Sequence, residues 1–297
     1  MCTPPTVDFH GRLALFALVS FSALAIRGEP RLTWFRAEGG AAGQGARAVA
    51  LVVHGLNLRP QKMEAIAALL ISGGIDVLNV GLSGHNGDAE AWAQVSKEQW
   101  KADALQAYRV ARSEADRATL PLYFVGFSLG GALALDLLSE AGAPEVAFDR
   151  MALFAPAAAL RASSGLVLSL AFLGSRFIVP SLGNPANRAN KGGTSMAAYE
   201  ALFGLIRELR RGDLSRANIP TLLFIDPGDE LVSEAGLRGL IRSKSLDRWR
   251  LIELSHAELR PTRGYKHQII DEASLGKTEW GRVSRELLAF FSGQGSH

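Results

Sequence analysis

The stretch Gly126-Phe127-Ser128-Leu129-Gly130, with Gly131 following, sets one serine between glycines two positions away on either side. This G-x-S-x-G spacing suits a sharp passage from strand to helix that pushes the serine out at its apex. The glycines answer a steric need, because backbone on both sides of such a turn comes too close for side chains. At the apex the hydroxyl also stands at a helix N-terminus, whose dipole favours developing negative charge. A serine placed in this way can attack a carbonyl once a base takes its proton. The chemistry suggested is nucleophilic acyl transfer by Ser128. The competing reading is a glycine-rich turn that happens to carry a serine.

That chemistry needs a strand before the turn and a helix after it. Residues 120–125 form an apolar run that reads as a strand, and 129–138 have helical character. The rest of the chain keeps the same alternation. The apolar run at 48–53 and the stretches at 76–80, 151–154, 221–225 and 249–254 read as strands, and 63–71, 92–113 and 280–291 read as helices. Continuous apolar runs are what strands buried on both faces of a parallel sheet look like. Strand–helix alternation of this kind predicts a three-layer α/β fold. The rhythm breaks once: about 65 residues separate the strands at 151 and 221, far more than a simple crossover takes. They are read as an insertion over one edge of the core.

Composition sets the outer limits. The 297 residues are 48% apolar and 21% charged, with a formal net charge of +3. This suits one large domain with a sizeable core. No basic run is interleaved with aromatics, so nucleic acid is not a partner. Arg207, Arg210, Arg211 and Arg216 read as a solvated helix face. The single cysteine, Cys2, excludes an intrachain disulfide and CxxC metal ligation. At the N-terminus, Arg12 precedes an apolar run over 13–26 that ends at Arg27-Gly28-Glu29-Pro30. The run is short of the ~20 residues of a spanning helix. Residues 1–28 are therefore read as a signal peptide or an N-terminal membrane anchor, with a helix packed on the domain as the third reading. A periplasmic, secreted or membrane-anchored location is favoured over a cytoplasmic one.

Directly after the strand at 48–53 comes His54-Gly55-Leu56-Asn57. With this His-Gly turn and the serine turn together, the chain resembles the α/β-hydrolase superfamily over roughly residues 47–291. The resemblance implies a mostly parallel sheet with helices on both faces and an inserted helical cap. The hydrolase core then covers 29–156 and 216–297, and the cap 157–215. It also implies that the N–H groups of Leu56 and Leu129 form an oxyanion hole, with His54 structural. The loop Gly84-His85-Asn86-Gly87 would shape the site without acting chemically. The family's acid follows a late strand, and Asp229, with Val232 after it, fits that pattern better than Asp226 or Glu230. The base follows the acid in chain order. His267 fits best, ahead of the last helix; His256 is the alternative, and His297 is the final residue.

The implied activity is hydrolysis of carboxylic esters through Ser128, His267 and Asp229, without metal or organic cofactor, as in monoglyceride-lipase-like and lysophospholipase-like members. The apolar residues of the insertion, Phe172 and Leu173 among them, are expected to cover Ser128 as an acyl pocket. The alternative is that they form a helix buried against the core. The partner would be a small ester or lipid, and the N-terminal run and the cap are the two places where the chain could meet a membrane surface. A thioesterase or peptidase on the same residues, or a non-catalytic scaffold, are the competing functions.

Overall fold

The strand that ends in Ser128's turn lies in the middle of a seven-stranded sheet. In the computed structural model the described residues are 30–37, 45–139, 142–181, 183–256 and 265–293. The N-terminal run read as a signal peptide or anchor lies outside them. Among the described residues, no helix is long and apolar enough to cross a membrane.

The strands are β1 (Arg31–Phe35), β2 (Ala48–Val53), β3 (Ile75–Gly81), β4 (Leu122–Phe127) and β5 (Arg150–Phe154). After a short ribbon of β6 (Ile178–Val179) and β7 (Thr194–Ser195) come β8 (Thr221–Ile225) and β9 (Trp249–Glu253). The sheet order is β1-β3-β2-β4-β5-β8-β9. Only β1 is antiparallel, pairing with β3. Every residue of β2, β3, β4 and β8 is buried, which explains why β2, β4 and β8 read as largely apolar runs, while β3 buries Asp76 and Asn79 among its apolar residues. Edge strand β1 is partly exposed along its whole length and has no such run to reveal it.

The helices are α1 (Glu64–Ser72), α2 (Ala89–Trp92), α3 (Lys97–Ala118), α4 (Leu129–Leu137), α5 (Met196–Arg211), α6 (Glu234–Ser243), α7 (Glu272–Leu275) and α8 (Lys277–Ser292). α1 packs against α8, while α3, α4 and α5 pack on one another. In α3 the residues Trp100, Ala104, Ala107, Tyr108, Ala111 and Ala115 are buried, the spacing of one helical face. The single helix expected at 92–113 is in fact two. Ser96 is extended and its hydroxyl accepts from the Gln99 N–H at 3.1 Å, so α3 has its own N-cap and starts afresh.

The insertion leaves the core after β5. It comprises a 3-10 helix (Ala162–Leu173), the β6–β7 ribbon and α5. α5 packs on α4 and also on the 3-10 helix. The loop before β7 is sewn to the turn after β2: Ala189 N–H donates to Asn57 O at 2.9 Å, and Asn190 N–H to Asn57 Oδ1 at 2.8 Å. The parallel strands therefore end at one edge of the sheet, with the loop of the insertion over it. This carboxyl edge is where sites form in open α/β folds.

Candidate active site

Ser128 has φ 50° and ψ −110°, a conformation that side chains rarely adopt. The surroundings enforce it: Ser128 N–H donates to Phe154 O at 2.9 Å, and Ser128 O accepts from Ala157 N–H at 3.0 Å. A Cβ on Gly130 would come within 2.2 Å of Val53 O, and one on Gly126 within 2.7 Å of Gly131 N. The glycines two before and two after the serine are thus required by close backbone approach, and the strain sits where a reactive group is displayed.

From Ser128 a hydrogen-bonded chain runs inward. The hydroxyl donates to His267 Nε2 at 2.9 Å, and His267 Nδ1–H donates to Asp229 Oδ2 at 2.7 Å. All three side chains are buried. The other Asp229 oxygen accepts from the N–H groups of Leu231 (2.7 Å) and Val232 (2.8 Å). The carboxylate is therefore fixed and cannot turn away from the imidazole. Glu230 accepts from the N–H groups of Lys266 and His267, both at 3.1 Å, and so holds the backbone that carries the histidine.

The remaining acid and base candidates pair with each other. His256 Nδ1–H donates to Asp226 Oδ2 at 2.5 Å, and Asp226 Oδ1 accepts from Gly228 N–H at 2.6 Å. Burial alone would raise the Asp226 pKa, but the hydrogen bonds from His256 and Gly228 outweigh it and hold it below the ordinary carboxylate value. His256 Nε2 is buried and has no partner among the described residues. The structure thus brings Ser128, His267 and Asp229 together and leaves His256 and Asp226 outside that chain.

At the β2 end, Leu56 lines the same cavity as Ser128 and His267, and Leu129 is the first residue of α4. The described hydrogen bonds outside the regular elements engage neither N–H. Two histidines brace this turn. Leu82 N–H donates to His54 Nε2 at 3.1 Å, which leaves the proton on Nδ1 to donate to Gly55 O at 2.8 Å. Asn57 N–H donates likewise to His85 Nε2 at 3.1 Å. Burial lowers the His54 pKa to about 4, and burial together with neighbouring His54 lowers that of His85. Both rings stay neutral and act as rigid spacers.

Asn57 was not singled out by its position in the sequence. It has φ 50°, and its side-chain N–H groups donate to Gly193 O (3.0 Å) and Asn190 O (3.3 Å). The available signal was residue type, since Asn tolerates the left-handed region better than other side chains.

A cavity of about 150 Å³ opens on Ser128. Its apolar lining includes Leu58, Phe127, Leu160, Leu202, Phe203 and Leu231. Phe172 and Leu173 do not line it. They are 82% and 45% exposed, and no residue of the 3-10 helix is buried. Neither expectation for this run holds: it is neither an acyl pocket nor a helix buried in the core. A segment apolar at nearly every position has no single face to turn inward. The cavity wall comes instead from Leu160 before this helix, Ser164 in its first turn, and residues between Pro180 and Phe203 after it.

Sheet order, serine turn and inserted segment together define the α/β-hydrolase fold. The sequence profile of the serine aminopeptidase, S33, family matches residues 44–272, and the chain belongs to that family. No curated protein matches it. Among solved structures it is similar to a monoglyceride lipase from Saccharomyces cerevisiae (13% identity, 90% of this chain and 92% of that one, TM-score 0.74). It is also similar to one of two metagenome-derived lipolytic enzymes described together (23% identity, 89% and 97%, TM-score 0.66). A third is a monoacylglycerol lipase from Paleococcus ferrophilus (16% identity, 90% and 100%, TM-score 0.63). At these identities the likeness is one of fold.

Proposed function

We propose that this protein is a serine hydrolase of carboxylic esters with Ser128 as nucleophile, His267 as general base and Asp229 as its orienting carboxylate. The observation that carries this reading is the unbroken hydrogen-bonded chain from Ser128 Oγ through His267 to Asp229, 2.9 and 2.7 Å, at the mouth of a cavity. His267 takes the hydroxyl proton as Ser128 attacks the acyl carbon, and the imidazolium then protonates the leaving alcohol. Water, deprotonated by the same imidazole, releases the acid from the acyl-enzyme. Leu56 and Leu129 N–H groups face the developing oxyanion; such a donor contributes about 3–4 kcal/mol in the transition state. The cavity's apolar lining suits an acyl chain.

The family's description raises a competing reading, hydrolysis at a peptide N-terminus. An aminopeptidase has to hold a substrate ammonium, which calls for a carboxylate in the cavity. Among the described lining residues there is no Asp or Glu, which favours an ester. The test is turnover of 4-nitrophenyl esters of graded chain length beside aminoacyl 4-nitroanilides, with covalent labelling by a fluorophosphonate. Ester turnover and labelling, both lost in Ser128→Ala, are expected. Turnover of the anilides alone would replace this reading with the peptidase one.

A further inference from the structure

Arg188 is the one Lys, Arg, Asp or Glu among the described residues that line the Ser128 cavity. Its guanidinium makes no ion pair with any described residue. Nη2 donates to the carbonyls of Ser181 and Gly183, while Nη1 makes no described hydrogen bond and Nε is buried without a partner. An arginine stays charged at any working pH. A cation drawn out of bulk water with donors unmet is costly unless an anion joins it.

The backbone that carries this charge is not free to swing away. Leu58 and Arg188 form an isolated antiparallel bridge. Arg188 O accepts from Arg59 Nε at 2.9 Å, and Asn187 O accepts from Arg59 N–H at 2.9 Å. The loop of the insertion is thereby tied to the turn that presents the Leu56 N–H. The charge is preorganised relative to the site, and a guanidinium fork matches the oxygens of a carboxylate or phosphate.

We propose that Arg188 binds an anionic group, a carboxylate or a phosphate monoester, on the ligand that occupies the Ser128 cavity, while the ligand's apolar part lies against Leu160, Leu202, Phe203 and Leu231. This rests on the ester reading above only for the ligand's being a substrate; the binding itself is separable. The polar lining also includes Asn187, Ser181 and Gln268, with Asn187 Nδ2–H donating to Gln268 Oε1 at 2.9 Å.

Calorimetric titration of the wild type, Arg188→Met and Arg188→Lys with hexanoate, hexyl phosphate and neutral hexanamide tests the proposal. The wild type should bind the better anion about ten- to a hundredfold more tightly than the amide, as one charge-assisted contact would give. Comparison of the two anions names the group. Arg188→Met should lose that preference yet bind hexanamide as the wild type does, and Arg188→Lys should keep part of it. Equal wild-type affinity for anion and amide would overturn the proposal. So would a preference that survives in Arg188→Met, or a loss of amide binding in that variant. Anion binding without ester turnover would instead remove the ester reading and leave Arg188's role standing.

Discussion

Two ends of the same sheet edge each carry two buried histidines, and they differ in what stands behind the rings. Beyond β8 and β9, His267 and His256 are backed by Asp229 and Asp226. Beyond β2 and β3, the hydrogen-bond partners of His54 and His85 among the described residues are backbone groups, each ring nitrogen Nε2 accepting from an N–H group. A carboxylate behind Nδ1 stabilises an imidazolium and leaves Nε2 free to accept a proton. At the other end, burial with no carboxylate behind the ring holds it neutral. One end of the edge is equipped to move a proton and the other to hold a turn still. Burial is common to both, so it is the partner that assigns the role.

Within the carboxylate-backed end, only His267 reaches the serine, so the sharpest break in the comparison comes from that chain. Ser128→Ala and His267→Gln should each lower ester kcat on the order of 10⁶-fold, and fluorophosphonate labelling of Ser128→Ala should vanish. Labelling that persists in Ser128→Ala would move the nucleophile elsewhere. Asp229→Asn should cost on the order of 10⁴-fold in kcat, because an amide NH₂ toward Nδ1 favours the wrong tautomer. The fold should survive, by circular dichroism.

The backbone-backed end should appear in stability. The unfolded chain protonates His54 near 6.5, whereas the folded protein resists until about 4. Protons therefore favour unfolding in that window: the contribution is complete above pH 6.5 and is lost as pH falls toward 4, by about 3 kcal/mol. Urea melts from pH 7.5 to 4.5 should show the decline, and His54→Gln should make it shallower, with the remainder coming from His85, whose pKa burial also lowers. A wild-type stability that stays level across the window would show that the ring is not held neutral.

Asp226→Asn sharpens the comparison of the two carboxylate pairs. It should reduce stability by about 1–3 kcal/mol through a weakened buried contact, while kcat falls less than about tenfold, since His256 does not reach Ser128. The depressed Asp226 pKa adds stability that is present above the ordinary carboxylate value and lost as pH falls below it through the lower folded value. A kcat loss as large as that of Asp229→Asn would place the second pair in the proton path. The smallest effect should come from Phe172→Asp: with its ring exposed to solvent, ester turnover and melting temperature should stay close to wild type.

Much of the fold was legible in the sequence because its signals are local. Strands such as β2, β4 and β8 are buried on both faces, so burial is written as consecutive apolar residues. The turn at Ser128 is written in glycines, since only they clear the backbone at 126 and 130. Edge strand β1 has no apolar run because it is covered only in part, and Ser96 divides a helix that periodicity alone joins.

Which acid meets which base, and what walls the cavity, were decided by tertiary structure. Asp226, Asp229 and Glu230 sit within one turn, and His256 and His267 both follow β9, so spacing admits several pairings. The parallel register of β8 and β9 and the hydrogen bonds of residues 226–232 select Asp229 for His267 and Asp226 for His256. Arg188 carried no signal, because a loop has no periodicity and its place depends on bonds to Leu58 and Arg59, more than a hundred residues away in sequence. Local sterics and burial are properties of a segment and can be read from it. The meeting of distant side chains depends on the packing of every element between them.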